Sequence, residues 1–392
     1  MSIKKHKYQA LTGGEAVAHA IRQINPDVMA AYPITPQTPI IEAFAQMVAD
    51  GKVDTSLINV ESEHSALSAV IGASAAGGRA MTATASQGLA LMAEIVYIAS
   101  GSRLPIVMPI SNRALSAPIN IHCDHTDSMP LRDAGWLQLY SENAQEAYDN
   151  TIIALKVAEN SEVLLPVMVM QDGFITSHSV ENVIIEKDKL IKKFIGEYNP
   201  EHPLLNIKKP ITIGPLDLFD YFFEHKYQQV EAMENSRKVI AQVDKEFYNL
   251  TGRKYSFIEK YKSNDADYVI MTLSSTAGTA KIVVDEMRKK GKKVGLIKIR
   301  TMRPFPNMEI AKVLSNAKAV AVLDRSISYG NYSPVFTEVR SSLYNLSKGP
   351  KLYNYIYGIG GRNIGIEDIE KVFTDLIKEG NSDKINYIGL RK

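Results

Sequence analysis

The chain has 392 residues, enough for two or three domains that each bury a core. Apolar residues make up 45% and charged residues 22%, and a net charge of +2 with no basic run argues against a nucleic-acid surface. Its one cysteine, Cys123, can form no intrachain disulfide and cannot by itself ligate an iron–sulfur cluster, which takes four thiolates, so any cluster serving its reaction is expected in other chains.

The opening run MSIKKHKYQALTGGEAVAHAIRQI has basic residues, a Gly-Gly and an amphipathic helical pattern, without the apolar core and cleavage site of a signal peptide. No apolar stretch has the length of a membrane span. A cytoplasmic protein without membrane contact is the expectation.

From Gly13 to about Gly173 short apolar runs alternate with helical stretches. Strands are predicted at Val28–Tyr32, Leu57–Val60, Ala80–Ala85, Pro105–Ile110 and Leu164–Met170, with helices at Thr38–Ala49, Glu63–Ala76, Ala90–Ser100 and Ala144–Glu159. Such alternation implies a mostly parallel sheet covered on both faces, with ligands beyond the carboxyl ends of its strands.

Four loops leave those ends. After the first strand comes AAYPITPQTP, in which three prolines restrict their predecessors and hold Thr35 stiffly; a plain strand-to-helix turn, with Pro36 or Pro39 near the first helical turn, explains it equally well. After the second comes NVESEHSA, where Ser62 can cap a helix and Glu63 can complement its dipole. Sheltered beside a helix of small residues, the same carboxylate could trade a proton with a ring nitrogen. The third strand runs into Ser86-Gln87-Gly88, which offers N–H groups, a hydroxyl and an amide. The fourth ends in Ser111-Asn112-Arg113, and an arginine placed there suits a carboxylate, since its planar fork binds both oxygens. Together Thr35, Glu63, Gln87 and Arg113 converge on one sheet edge, which makes a site.

The run His122-Cys123-Asp124-His125-Thr126-Asp127 invites a metal, but its ligands are crowded and no second cluster completes a set. No metal is expected.

A long connection follows from about Val180 to Asp267, irregular through Pro200, Pro203, Pro210 and Pro215, then helical. Val230, Met233, Ile240, Val243 and Phe247 share one face of that helix, which is expected to pack on a domain or a neighbouring subunit. Alternation resumes at Ala266 with YVIMTL, TAGTAKIVVDEMRKKG, KVGLIKI, a helix from Asn307, AVAVLD and a final helix near Ile366–Lys378, giving a second, smaller α/β domain. Gly278 and Gly358-Ile359-Gly360-Gly361 form no G-x-G-x-x-G, so tight turns are their expected use.

The ordered motifs YPITPQTP, VESEHSA, TATASQGLALM, SNRALSAPINI and RDAGWLQ, continuing into KVGLIKIRTMRPFP and GIGGR, resemble the alpha subunits of pyruvate:ferredoxin oxidoreductases (pyruvate synthases), in the 2-oxoacid:ferredoxin oxidoreductase family. The resemblance covers nearly the whole chain. It implies an α/β fold with a parallel-sheet, pyrimidine-type thiamine-diphosphate-binding domain (residues 1–255 with the connection) and a transketolase C-terminal-like α/β domain (residues 256–392). It also implies oxidative decarboxylation of pyruvate to acetyl-coenzyme A and CO₂, reversible, with electrons passed singly through iron–sulfur clusters to ferredoxin. Beta, gamma and delta-type subunits are the implied partners. The beta subunit holds the diphosphate and Mg²⁺, in keeping with the lack of a G-D-G motif here; Asp172-Gly173 is the nearest approach.

Matched residue by residue, Glu63 is the acid that bonds the aminopyrimidine ring, Arg113 takes the substrate carboxylate and Thr35 its oxygen-bearing end. Pro33, Gln87 and Gly88 join Glu63 around the cofactor. Branched-chain 2-oxoacid and 2-oxoglutarate oxidoreductases share parts of these motifs, although ALSAPINI looks most like the pyruvate version. A non-catalytic scaffold chain would have no need of Thr35, Glu63 and Arg113 together.

Overall fold

The structure, a computed structural model, describes residues 8–380 and 382–391, so the basic run at residues 1–7 lies outside the described residues. The first half reads β1 (Tyr8–Thr12), α1 (Gly13–Ile24), β2 (Val28–Ala31), α2 (Thr38–Ala49), β3 (Ser56–Asn59), α3 (Glu63–Ala76), β4 (Ala80–Met81), α4 (Ser86–Leu91), α5 (Ala93–Gly101), β5 (Val107–Asn112), β6 (Leu137–Ser141), α6 (Ala144–Ala158) and β7 (Val167–Asp172). The connection holds β8 (Val180–Ile184), α7 (Asp188–Ile195) and α8 (Phe222–Thr251). The second half reads β9 (Ile258–Tyr261), β10 (Tyr268–Leu273), α9 (Thr276–Lys289), β11 (Val294–Ile299), β12 (Thr301–Arg303), α10 (Asn307–Leu314), β13 (Ala319–Asp324), α11 (Pro334–Ser342), β14 (Lys351–Ile356), α12 (Ile366–Ile377) and β15 (Asn386–Tyr387).

The first sheet has seven strands in the order β12-β6-β7-β5-β4-β2-β3, parallel except for β12. Residues alternate between its faces as strand geometry dictates: Met29, Val107 and Val169 join the core under α1, α2 and α6, while Ala30, Met108 and Met170 join the core under α3, α4 and α5. From β2 the chain passes to β3 on one side and then back across to β4 on the other. The strand ends of β2 and β4 therefore flank a switch point, the place where open α/β sheets take ligands.

The second sheet runs β15-β14-β13-β10-β11-β9, parallel except for β9. One of its faces shares a core with the first domain, so Met271, Ile297 and Val322 belong to the same apolar body as Trp136 and Met168. The expected boundary at 255/256 falls just before β9, yet the chain beyond it sends β12 back to pair with β6 at the edge of the first sheet. Cations of the KIRTMR run cross the junction: Lys298 reaches Glu142 at 2.7 Å and Glu146 at 3.0 Å, and the fully buried Arg300 reaches Asp244 at 2.8 Å.

Several expectations are corrected. The strand expected over Ala80–Ala85 pairs only at Ala80–Met81, with a lone bridge at Thr84, and the helix expected over Ala90–Ser100 is two helices meeting at Met92. In α8, Ile240, Val243 and Phe247 are buried in the first core, but Val230 is exposed although its neighbour Gln228 still accepts a bond from Arg103, so Val230 lies on the helix's outer side. No helix among the described residues is long and apolar enough to cross a membrane.

Candidate active site

The four loops leave adjacent parallel strands, so the topology brings Thr35, Glu63, Gln87 and Arg113 to one edge. Gln37, fully buried, anchors the YPITP turn through a 3.1 Å bond from its amide to the carbonyl of Ala83, and Pro39 sits in the first turn of α2. Pro33 and Thr35 are left exposed on the turn's outer side.

Ser62 caps α3, its hydroxyl accepting the N–H of Ser65 at 3.2 Å, and Glu63 opens the helix. Glu63 is only 6% exposed, yet no side chain or N–H among the described residues bonds its carboxylate. Glu61, the other acid of the motif, is exposed and accepts the hydroxyl of Ser65, which holds its pKa below the usual range. Glu63 lies against α4. A Cβ at Gly88 would stand 2.7 Å from Glu63 Oε1 and 2.5 Å from Thr84 Oγ1, so only glycine allows this approach. Thr84 Oγ1 is itself buried without a partner. A sheltered carboxylate without a protein partner and a buried unpaired hydroxyl, beside a residue with no side chain, fit a flat polar ring whose own donors and acceptors complete the pairing.

Arg113 is 7% exposed. Its Nε donates to the carbonyl of Asn120 at 2.8 Å and its Nη1 to the carbonyl of Thr35 at 2.9 Å. Among the described residues Nη2 has no partner and no carboxylate comes within ion-pair distance of the guanidinium. Burial pulls its pKa down, offset only in part by Asp127, whose carboxylate bonds the main-chain N–H of Arg113 and not the guanidinium. A sheltered guanidinium held only by neutral carbonyls is short of one negative charge, and its Nη1–Nη2 edge remains for a carboxylate.

Gln87 is half-buried at the start of α4, and its side-chain amide lies 2.6 Å from the Ser86 hydroxyl. The glycine turn of the second domain reaches the same neighbourhood. Gly360 and Gly361 have φ of 61° and 77°, and a Cβ on Gly361 would meet Cβ of His122 at 2.2 Å. Asn120, whose carbonyl holds Arg113, donates to the carbonyl of Gly360 at 3.1 Å. That turn is used for packing.

Cys123, His125 and Asp172 come together, all buried. A cation already serves them: Arg325 Nη1 lies 3.0 Å from Asp172 Oδ2 and 3.5 Å from Cys123 Sγ, while His125 Nε2 lies 2.8 Å from Asp172. Burial and Asp172 push the Cys123 thiol up. Asp172 is therefore an interdomain anchor, joined also by Ser275.

A parallel α/β sheet with an acid and a guanidinium that lack charge partners at its switch point marks a candidate ligand site, and comparison with known proteins gives the family of the chain. Residues 19–245 match the family model for the thiamine diphosphate-binding region of pyruvate flavodoxin/ferredoxin oxidoreductases, and residues 266–369 match core domain II of pyruvate:ferredoxin oxidoreductase. The chain is 58% identical to the pyruvate synthase subunit PorA of Thermotoga maritima, over 98% of each chain. It is 48% identical to PorA of Methanocaldococcus jannaschii over 98% of each, and 44% identical to the ketoisovalerate oxidoreductase subunit VorA of Pyrococcus abyssi over 96% of this chain and 95% of that one. In fold it is similar to a 2-oxoglutarate:ferredoxin oxidoreductase from Magnetococcus marinus, with a TM-score of 0.76 at 20% identity, covering 96% of this chain and 66% of that longer one. The chain belongs to the family of pyruvate:ferredoxin oxidoreductase (pyruvate synthase) alpha subunits.

Proposed function

We propose that this chain supplies the pyrimidine side of a thiamine diphosphate site and the substrate anchor of a pyruvate:ferredoxin oxidoreductase, an enzyme that decarboxylates pyruvate oxidatively to acetyl-coenzyme A. The observation that carries this reading is the pair of unsatisfied charges: the Glu63 carboxylate without a partner beside Gly88, and Arg113 without a counter-charge. When bound, the cofactor supplies the carbanion chemistry that a decarboxylation needs and that no amino-acid side chain provides.

The remaining tasks fall to residues of this chain. Glu63 holds or exchanges a proton with the aminopyrimidine ring, and its burial keeps water from competing. Thr84 offers a hydroxyl, and Gly88 the space, for that ring; Pro33 and Gln87 border it. Arg113 binds the carboxylate of the 2-oxoacid through its free edge, and Thr35, fixed to Arg113 through its carbonyl, places its hydroxyl near the substrate's oxygen-bearing end.

The chain works in a multi-subunit complex. We assign the diphosphate and Mg²⁺ to a beta-type subunit and the iron–sulfur clusters and ferredoxin contact to gamma and delta-type subunits, in the cytoplasm. In support, the loops at this edge expose Tyr32, Ile119 and Ile121, an apolar rim that a partner would cover. Reduction of a viologen dye by the assembled complex, with coenzyme A and each of pyruvate, 2-oxoisovalerate and 2-oxoglutarate, tests the reading. Preference for pyruvate is expected. Preference for another acid would move the chain to a sister activity, and no turnover of any would leave it a scaffold.

A further inference from the structure

Asp127 closes the crowded run that invited a metal, and the assignments above give it no task. It is 2% exposed. Its Oδ2 accepts the main-chain N–H of Ser86 at 3.0 Å and of Arg113 at 2.9 Å, and its Oδ1 accepts Asn112 Nδ2 and the N–H of Ser128, both at 2.8 Å. Four donors on one carboxylate use its whole accepting capacity.

Two of those donors belong to the loops leaving β4 and β5. Between these strands the ladder fails early: Met81 pairs with Val107, Thr84 forms a lone bridge with Ile110, and the last ladder bond runs from the N–H of Ser111 to the carbonyl of Thr84 at 3.2 Å. Beyond it the Asp127 carboxylate takes the place of a ladder bond, tying Ser86 to Arg113. Ser86 also has φ of 47°, a left-handed conformation that few residues other than glycine adopt, and its hydroxyl donates to the carbonyl of Ala114 at 2.6 Å. The turn that presents Gln87 and Gly88 and the backbone that carries Arg113 are thus held to one another by the buried Asp127 carboxylate, with the Ser86–Ala114 bond beside it.

We infer that Asp127 is a positioning residue for substrate binding: its carboxylate clamps the two exit loops together and so sets the reach of Arg113 to the substrate carboxylate. This rests on the reading of Arg113 as the carboxylate anchor. Asparagine at this position keeps the shape but turns two accepting positions into a donor, so one of the two donor pairs loses its acceptor.

The test uses the assembled complex carrying Asp127→Asn, with wild type, Arg113→Ala and the double variant beside it. Pyruvate KM, coenzyme A KM and calorimetric binding of oxamate, an isostere of pyruvate, are measured. Since about 1 Å of misplacement can cost on the order of a hundredfold, we expect Asp127→Asn to raise pyruvate KM and weaken oxamate by about tenfold. Coenzyme A KM should stay at the wild-type value, and the double variant should bind oxamate no worse than Arg113→Ala alone. A lower melting temperature with unchanged pyruvate KM and oxamate affinity would make Asp127 structural only and overturn the inference while leaving the anchor reading intact. Unchanged values in Arg113→Ala would overturn the anchor reading and the inference with it. If Asp127→Asn does not assemble, Asp127→Ser, which leaves a small acceptor and room for water, is taken through the same measurements and judged by the same outcomes.

Discussion

Arg113 donates from Nη1 to the main-chain carbonyl of Thr35 at 2.9 Å, joining two residues 78 positions apart. The bond makes the YPITP turn and the end of β5 one unit, so the hydroxyl and the guanidinium move together. It also leaves the positive charge unneutralised, because a carbonyl orients a guanidinium without cancelling its charge. What the pair lacks is an anion.

That deficit predicts the behaviour of Arg113 variants. Removing one partner of a sheltered ion pair costs about 2–5 kcal/mol, so Arg113→Ala should lower kcat/KM for pyruvate by tens-fold or more. Arg113→Lys should recover only part of the loss, because an ammonium cannot present two parallel donors and cannot keep both carbonyl contacts. Steady-state kinetics with pyruvate checks this, and wild-type values in Arg113→Ala would return the arginine to a purely structural role.

Glu63 should matter for proton transfer and hardly at all for substrate affinity. Glu63→Gln keeps the volume and removes the ionisable group, and loss of a placed acid–base group costs about 10²–10⁴ in rate. Exchange of the cofactor's C2 proton, followed by rapid quench and NMR, is the direct readout. A wild-type exchange rate in this variant would shift attention to Glu61.

Gly88 is a test of space. Alanine there would put a methyl 2.7 Å from Glu63 Oε1 and 2.5 Å from Thr84 Oγ1, and the Glu63 side chain is the part that can yield. A displaced carboxylate of about 1 Å is worth on the order of a hundredfold in rate. Gly88→Ala should therefore depress kcat and cofactor affinity with little change in melting temperature. Unaltered kcat would mean that the carboxylate position is not critical.

Asp324 makes a prediction about pH. Burial pushes it up to about 6 against the N–H of Val335, which bonds its Oδ2 at 2.7 Å. Its folded pKa lies above its unfolded value near 4, so its stabilising contribution is full below about pH 4 and is lost as pH rises through about 6. The stability of wild type relative to Asp324→Asn should fall across that window, as pH rises, by up to roughly 3 kcal/mol, at 1.36 kcal/mol per pKa unit. Asp127, also pushed up to about 6 by burial, gives the wild type a slope of the same sign, so the comparison must be with the variant. Urea midpoints between pH 4 and 7 measure it, and a difference that stays flat would place Asp324 at an ordinary carboxylate pKa.

Much of the scaffold was legible because its signals are local. The helices at Thr38–Ala49 and Glu63–Ala76 begin and end where the sequence reading placed them, since proline, the Ser62 cap and Gly77 lie within a turn of the ends. Strands β10 and β13 were likewise readable as continuous apolar runs. Pairing is not local, and there the reading failed. β4 is two residues long because its neighbours diverge, β6 was passed over, and β12 belongs to the sheet of the other domain.

The site divides in the same way. Strand–helix alternation by itself determines that Thr35, Glu63, Gln87 and Arg113 meet, because every strand-to-helix loop of a parallel sheet opens on one edge. It also places an acid, an amide, a hydroxyl and a guanidinium there. Only the tertiary structure decided how they are held. Asp127, Gln37 and Asn120 each act through a side-chain bond to the backbone of another segment or domain, and such a bond leaves no period or spacing in the sequence. As sequence, the run from His122 to Asp127 reads as crowded ligand types without a metal and without a use; folded, its acids meet the N–H groups of Ser86, Arg113 and Gly360, because a buried main chain must be paired wherever the ladder ends.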